Sequence, residues 1–277
     1  MAEAVPFDPP QGEPLSILES TAAGLGTVAH ARYRRFEFSC RGDRVPLELL
    51  EPESDGPHPL LLAQPPPGTG AGLPALRGLR TWLAAGVAIA SIELPLFGRR
   101  RSAKLSDPFE AAVAVAARGE TIDSTARLLW CEFMRQAVME LRRTLDVLAE
   151  VWGAAPERTV YAGGGLAASL GALLCGIDPR LRAAVLAFGG GGFGPEAVDP
   201  VRYVGDVSPR PLLFIQSQSP VPAPGMPAIP RSAAIALHEA AREPKWVEWR
   251  AESDLEILDS AWEFLSPILS GRERARK

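Results

Sequence analysis

Short runs of apolar residues alternate along this chain with longer segments in which apolar residues recur every three or four positions. The short runs predict buried strands at residues 59–64, 87–93, 159–162, 181–188, 211–216 and 246–250. The longer segments predict helices at residues 76–85, 123–152, 166–175, 228–243 and 256–269. Strands that alternate with helices are typical of a parallel sheet covered by helices.

Two further strands are predicted before this alternation begins. Residues 32–39 alternate imperfectly between polar and apolar side chains, Arg41-Gly42-Asp43 predicts a turn, and residues 45–50 predict the returning strand. The predicted fold class is therefore α/β. We expect a mostly parallel eight-stranded sheet with an N-terminal antiparallel hairpin and with helices on both faces.

The first 30 residues differ from the rest of the chain in being rich in Pro, Glu and Ala. Such a composition predicts a loosely held N-terminal arm over residues 1–30, with room for one short helix. Residues 31–277 are expected to form a single domain. Its one irregular segment has a mixed pattern, which indicates a small cap-like insertion near residues 100–122.

The composition is that of an ordinary globular protein, with 47% hydrophobic and 22% charged residues. A net charge of −4 gives no indication of binding to nucleic acid or to an anionic membrane. Cys40, Cys131 and Cys175 are scattered and odd in number, which favours a reducing compartment over a disulfide framework or a metal site. Without a signal-like start or an apolar run of about 20 residues, we expect a soluble cytoplasmic protein with no metal or cofactor. A homo-oligomer is left open.

The central stretch predicts a strand, a turn made only of Gly163-Gly164-Gly165, and a helix that begins at Leu166. It resembles the nucleophile elbow of the α/β-hydrolase superfamily, Gly-x-Ser-x-Gly, with Gly165 in the place of the serine. In the dienelactone-hydrolase and acyl-esterase branch, a helix of similar length leads to an Asp-Pro-Arg, and here Pro179 follows Gly165 by fourteen positions. Ser169 is the rival nucleophile, but it would lie a turn inside the helix.

The resemblance implies a catalytic triad that is degenerate at each position. Enzymes of this fold place nucleophile, acid and histidine in that chain order. The acid position falls on Pro220, and the histidine position falls on Asp254. The oxyanion loop reads Gln64-Pro65-Pro66, and proline has no N–H to donate. The resemblance therefore implies a hydrolase fold without proton-relay chemistry at the usual place.

A pocket over the elbow is the expected ligand site. Its expected lining residues are Gln64, Pro65, Gly165, Leu166 and Gln216. The ligand would be a small apolar or ester-like molecule, bound without hydrolysis or converted in a cofactor-free reaction. The alternative is a protein that serves only as a scaffold and binds no small molecule.

Other interpretations stay open beside this one. An active carboxylic-ester hydrolase with a rearranged site would use Ser169 with His238. Arg99, Arg100 and Arg101 could bind an anionic ligand at the pocket mouth, although a solvated basic turn is favoured. The spacing Gly163-x-Gly165-x-x-Ala168 also matches the dinucleotide-binding fingerprint, but the next strand does not end in the acid that this fingerprint requires.

Overall fold

The structure is a computed structural model, and it describes residues 7–20, 31–54, 57–68, 72–73, 78–152, 158–218, 226–250 and 257–271. Its strands in chain order are β1 (Leu18–Ser20), β2 (Ala31–Cys40), β3 (Asp43–Pro52), β4 (Leu60–Gln64), β5 (Ala88–Ile92), β6 (Thr159–Gly164), β7 (Leu181–Ala187), β8 (Leu212–Ser217) and β9 (Lys245–Arg250). All of these strands belong to one sheet, in the order β1-β2-β3-β5-β4-β6-β7-β8-β9.

The sheet has an antiparallel part and a parallel part. Strands β1, β2 and β3 pair antiparallel with one another, and β3 pairs antiparallel with β5. From β5 to β9 every neighbouring pair is parallel. Strand β4 lies between β5 and β6 and is parallel to both. The carboxyl ends of these three strands therefore lie at the same edge of the sheet.

The helices are α1 (Leu79–Ala84), α2 (Ala103–Ala117), α3 (Ser124–Trp152), α4 (Leu166–Ile177), α5 (Arg231–Ala240) and α6 (Ile257–Leu269). They lie on both faces of the sheet, as the sequence pattern predicts. Leu60 and Leu62 of β4 pack into the core that contains α3 and α4, whereas Leu61 packs into the core that contains α1 and α6. This two-residue alternation is why the central strands are apolar without interruption.

The eight predicted strands are confirmed, and β1 is an additional ninth strand. It pairs with β2, so that Leu18 lies opposite Glu37. In the described part of the predicted arm, residues 7–20, β1 is the one regular element, and the segment packs on the domain. Phe7 is buried, and its ring meets the ring of Tyr203 edge-on with the centroids 5.6 Å apart. A strand of three residues is too short to produce a readable alternation.

Two helices differ from their predicted limits for reasons that involve proline. Helix α5 begins at Arg231 rather than at 228, because Pro230 occupies its N-cap in an extended conformation. Helix α4 continues through Gly176 to Ile177 and ends at Asp178, which is extended and precedes Pro179. The residue before a proline is disfavoured in helical conformation, so the proline ends this helix rather than the glycine.

The segment predicted as a cap-like insertion contains α2, which lies against α3. The ring of Phe109 on α2 packs on Phe133 of α3 with 4.2 Å between centroids. Ser106 donates to the carbonyl of Leu96 at 2.8 Å, which ties the start of α2 to the loop after β5. The division of the chain into an arm and one capped domain stays a prediction.

Candidate functional site

The turn between β6 and α4 is a sharp elbow centred on Gly165. This residue has φ 58° and ψ −126°, a combination that residues with a Cβ disfavour. Its N–H donates to the carbonyl of Ala187 on β7 at 2.8 Å, and its own carbonyl accepts from Ala168 in the first turn of α4 at 3.0 Å. The three-glycine sequence therefore folds into the strained strand-to-helix turn that carries the nucleophile in α/β-hydrolases.

Among the described residues, only one atom would lie within 4 Å of a Cβ built on Gly165, and it is the Cβ of Pro66 at 3.8 Å. The backbone conformation, rather than crowding by the described part of the chain, is what favours glycine here. At the tip of the elbow the chain thus presents no side-chain atom that could attack a substrate.

The loop after β4 lies directly on this elbow. A Cβ on Gly164 would come within 2.9 Å of two ring carbons of Pro66, so the proline ring fills the space above that residue. Hydrolases of this fold take one oxyanion donor from this loop and one from the residue after the nucleophile. Pro65, Pro66 and Pro67 have no N–H. The N–H of Leu166 remains on the α4 side.

Ser169, the displaced-nucleophile candidate, is buried inside α4 and engaged by the backbone. Its Oγ donates to the carbonyl of Gly190 at 2.8 Å and accepts from the Gly190 N–H at 3.1 Å. These two bonds fasten α4 to the glycine-rich loop after β7. No hydrogen bond joins Ser169 to His238 in the part of the chain that the structure describes.

His238 lies on α5 between aromatic rings, with centroids 6.2 Å from Phe214 and 6.3 Å from Trp249. Its Nε2 is buried and has no hydrogen-bond partner among the described residues. Burial, together with the nearby Lys245, lowers the pKa of His238 below its ordinary value. The geometry is that of a packing histidine, and the Ser169–His238 pair stays a hypothesis.

The other two triad-equivalent positions, Pro220 and Asp254, lie outside the described residues. Strands β8 and β9, which precede them, end at Ser217 and Arg250 at the same edge of the sheet as the elbow. Their assignment as acid and histidine positions therefore stays a prediction.

A cavity of about 650 Å³ lies at the carboxyl ends of β4 and β5. Gln64 and Pro65, two of the five predicted lining residues, belong to its wall. Gly165 and Leu166 are not among its lining residues, because Pro66 stands between the elbow and the cavity. Gln216 is also absent from the wall, since it is buried and its amide donates to the carbonyl of Gly189 at 3.3 Å.

The floor of the cavity is fixed by Gln64. Oriented by its partners, the Gln64 amide donates to Ser91 Oγ at 3.2 Å and to the Ile92 carbonyl at 3.1 Å, and accepts from the Ile92 N–H at 3.0 Å. The Gln64 side chain thereby makes hydrogen bonds to the backbone of β5 like those of an additional residue in β4. Gln64 serves the architecture of the cavity, and its amide is already satisfied.

Charged residues that sequence reasoning missed surround the cavity. They are Arg35, Glu48, Glu93 and Glu110, together with the predicted Arg99 and Arg101. Glu48 accepts from the Tyr33 hydroxyl at 2.5 Å. Burial and this hydrogen bond raise the pKa of Tyr33 to about 12. A signal for Glu48 existed in the sequence, because it is the single acid inside the otherwise apolar run 45–50.

The three consecutive arginines after β5 have different environments. Arg99 and Arg101 line the cavity. Arg100 instead turns inward and makes a bidentate ion pair with Glu140 of α3, with N–O distances of 2.6 and 2.7 Å. The Glu140 side chain is fully buried. The predicted solvated basic turn is therefore wrong for Arg100, which anchors the loop after β5 to α3.

Comparison with solved structures identifies the fold. The chain is similar to acetyl xylan esterase 1 from Thermoanaerobacterium sp. JW/SL YS485, with TM-score 0.68 and 14% identity over 95% of this chain and 90% of the esterase. It is similar to a cold-adapted esterase from an Arctic intertidal metagenomic library, with TM-score 0.62 and 15% identity over 87% and 95%. The α/β hydrolase GrgF from Penicillium sp. sh18 gives TM-score 0.60 and 13% identity over 86% and 99%.

The chain has the α/β-hydrolase fold. No family model matches the sequence. No curated protein is significantly similar to it either. None of the helices that the structure describes combines the length and the apolar character that crossing a membrane requires.

Proposed function

We propose that this protein is an α/β-hydrolase-fold protein that does not hydrolyse esters and that binds a small molecule in the cavity beside the elbow. The observation that carries the proposal is the backbone of Gly165, which has the strained conformation of a nucleophile elbow without a side chain. A serine hydroxyl attacks only when a base removes its proton, and an acyl transition state needs oxyanion donors. Gly165 has no hydroxyl for a base to activate, and Pro65, Pro66 and Pro67 have no N–H to donate to an oxyanion.

The cavity supports ligand binding over a purely scaffolding role. Its volume of about 650 Å³ lies within the range of small-molecule pockets. It lies at the carboxyl ends of parallel strands, where open α/β sheets bind their ligands. A scaffold would have no need to keep this space open.

The cysteines are poor candidates for a nucleophile elsewhere in the chain. Burial raises the pKa of Cys40 and of Cys175 to about 12, and it also raises the pKa of Cys131. The thiolate is the reactive form, so these thiols are poor nucleophiles at neutral pH. All three are free cysteines, which fits the cytoplasmic location that we propose.

The test is turnover of p-nitrophenyl acetate and p-nitrophenyl butyrate by the full chain, with heat-denatured protein as the blank. We expect no turnover above the blank and no labelling by a fluorophosphonate probe. Turnover or labelling that disappears in Ser169→Ala would establish the rearranged ester hydrolase instead. Turnover that persists in that variant would contradict both interpretations and would indicate a nucleophile elsewhere.

A further inference from the structure

The carboxylates around the cavity are already occupied by donors of the protein itself. Glu48 accepts from Tyr33 and Arg35 through Oε1 and from the Leu73 N–H through Oε2 at 2.7 Å. Glu93 accepts from the N–H of Arg99 at 2.7 Å and from its Nε at 3.1 Å. Glu110 pairs with Arg101 through both oxygens. A cationic ligand would therefore meet carboxylates whose oxygens are engaged.

Two arginines of the same wall have N–H groups without an acceptor among the described residues. Arg99 uses its backbone N–H and its Nε on Glu93, and no described residue accepts from its Nη1 or Nη2. Arg35 uses Nε on the Tyr33 hydroxyl and Nη2 on Glu48, while its Nη1 has no acceptor within the described chain. Every oxygen of the three carboxylates already accepts a donor of the protein, whereas these two arginines keep N–H groups without an acceptor among the described residues, and such donors select an acceptor or an anion.

Apart from Gln64 and Ser91, the side chains of the rest of the wall are mainly apolar. Leu73, Ile92, Leu94 and Phe97 are each at most 5% exposed, and the prolines at 65–67 complete this side. Apolar surface of this kind favours a hydrocarbon body over a sugar or a polar peptide. The cavity thus combines an apolar interior with unused guanidinium donors.

We propose that this cavity binds a small monocarboxylate with an apolar body, whose carboxylate pairs with the Nη1 and Nη2 donors of Arg99. The inference rests on the proposed function, because it takes the cavity as the working site of the protein, and it names the class of ligand. The hydrocarbon part lies against Leu94, Phe97 and the prolines. Arg35 Nη1 offers a further donor on the opposite, β2 side of the wall.

The charge balance of the wall distinguishes a carboxylate from a phosphate. Three arginines and three glutamates surround the cavity, so their formal charges cancel. A dianion would meet the glutamates without a surplus of positive charge to offset them. The flat edge that Nη1 and Nη2 of a guanidinium form matches the two oxygens of one carboxylate.

The experiment is a ligand-observed NMR titration of the full chain with hexanoate, with 1-hexanol and inorganic phosphate in parallel. We expect hexanoate to bind more tightly than 1-hexanol, which shares its hydrocarbon chain, and more tightly than phosphate. We expect Arg99→Gln to weaken hexanoate binding about fivefold, since the Arg99 side chain is 64% exposed and its charge is partly screened. Arg35→Gln added to Arg99→Gln should weaken it about tenfold or more.

Arg202→Gln is the matched control. Arg202 also pairs with a glutamate six residues earlier, Glu196, at 3.3 Å, and it lies outside the cavity. Equal effects of Arg99→Gln and Arg202→Gln would overturn the proposal. Equal affinity for hexanoate and 1-hexanol, tighter binding of phosphate, or absence of hexanoate binding would each overturn it as well.

The outcome is separable from the test of the proposed function. Hexanoate contains no ester, so its binding does not depend on whether the chain cleaves esters. Ester turnover with hexanoate binding would refute the proposed function alone. Absence of both would refute the ligand class alone. Thermal unfolding shows whether each variant is folded. If the double variant does not fold, the effect of Arg99→Gln on hexanoate binding alone decides the test.

Discussion

At the scale of single residues, Gly165 combines a backbone that resists a side chain with surroundings that would admit one. Its φ of 58° with ψ −126° costs a residue with a Cβ about 1–3 kcal/mol. The nearest described atom to a Cβ there is 3.8 Å away, which is ordinary contact. The position can therefore be tested by substitution without disturbing the packing of the described residues around it.

We expect Gly165→Ser to gain no esterase activity over the wild type. The new hydroxyl would stand at the corner of the elbow, yet it would lack a base to activate it and an oxyanion donor from the loop of Pro65-Pro66-Pro67. The variant should also lose about 1–3 kcal/mol in free energy of unfolding, because the backbone conformation is strained. Hydrolysis of p-nitrophenyl butyrate and chemical denaturation measure the two effects.

Gly119→Ser is the control for this substitution. Gly119 also has positive φ, at 76°, and no atom of the described residues lies within 4 Å of a built Cβ, but it lies at the end of α2. A gain in activity that is specific to Gly165→Ser would contradict the prediction. It would mean that a base reaches the elbow from a segment outside the described residues.

His238 should titrate below the ordinary histidine range. Burial and the positive charge of Lys245 lower its pKa from the usual 6.5, so the folded state binds this proton less tightly than the unfolded state does. The resulting contribution to stability is present above about pH 6.5 and is lost as the pH falls through the lowered pKa. The ring resonances of His238, assigned through His238→Gln, give the midpoint by NMR.

The same titration in urea supplies the reference. A midpoint in the folded protein at or above that in the unfolded chain would show that the ring is solvated or paired with an acid. In that case the interpretation of His238 as a packing residue would be wrong, and a catalytic pairing of His238 with Ser169 would need to be tested again.

Single residues of the candidate site were predictable only where the chain itself brings them together. The elbow lies within consecutive residues, and Gln64-Pro65-Pro66 follows a predicted strand, so sequence was sufficient for both. The placement of Arg35 and Glu48 around the cavity depends on the register of β2 and β3, which pairs Arg35 with Glu48. Only the assembled sheet shows that register.

At the scale of elements, the loop after β5 is held by one buried ion pair. Arg100 donates to both oxygens of Glu140 and to the carbonyl of Glu93 at 2.9 Å. Gln136, one turn earlier on α3, donates to Glu140 at 2.7 Å. The loop that supplies Phe97 and Arg99 to the cavity is thus fixed to the longest described helix.

We expect Arg100→Ala to lower the free energy of unfolding by about 3–5 kcal/mol, because it leaves the Glu140 carboxylate buried without its partner. Arg99→Ala, one residue earlier, removes an exposed pair and should cost about 1 kcal/mol or less. Urea denaturation measures both. The double variant Arg100→Met with Glu140→Met should recover most of the loss, since a pair of apolar side chains leaves no buried charge.

Equal losses for Arg99→Ala and Arg100→Ala would contradict this account of the loop. So would a double variant that is no more stable than Arg100→Ala, because the cost would then arise from packing rather than from an uncompensated charge.

The elements themselves followed the apolar pattern closely where that pattern was long. Helix α3 begins within one residue of its predicted start and ends where expected, because six apolar residues recur at helical spacing over much of its length. Helix α2 was predicted only as a mixed segment. Pro108 lies in its second turn and interrupts the pattern, although Phe109, Ala112 and Val113 form a buried face.

At the scale of the whole molecule, the two edges of the sheet differ. β9 forms one edge, and the three-residue β1 covers part of β2 at the other. The segment before β1 is held by Phe7 against Tyr203 and by an ion pair of Asp8 with Arg142 at 2.6 Å. The N-terminal segment therefore protects a long strand whose backbone groups would otherwise be unpaired.

We expect removal of residues 1–20 to lower the free energy of unfolding and to promote self-association. Unpaired donors and acceptors on the ten-residue β2 would form a template for strand addition. Denaturation and light scattering at increasing protein concentration measure the two effects. Phe7→Ala is the control, since it removes the packing at Tyr203 but leaves β1, and it should destabilise the protein without association.

A truncated chain that stays monomeric at high concentration would contradict this role for β1. Association of Phe7→Ala to the same extent would also contradict it, because the exposed apolar patch rather than the strand edge would then be responsible.

The wall of three prolines between the elbow and the cavity has a consequence for how this chain could change over generations. Some glycine codons become serine codons through a single nucleotide exchange, so the missing hydroxyl at position 165 is within easy mutational reach. A backbone donor in the Pro65-Pro66-Pro67 loop requires a further exchange, and at position 66 that exchange would also remove the ring that packs against Gly164. We therefore expect that ester cleavage at this elbow would require several exchanges together, because a hydroxyl at position 165 without an activating base and a donor from this loop gives no reaction.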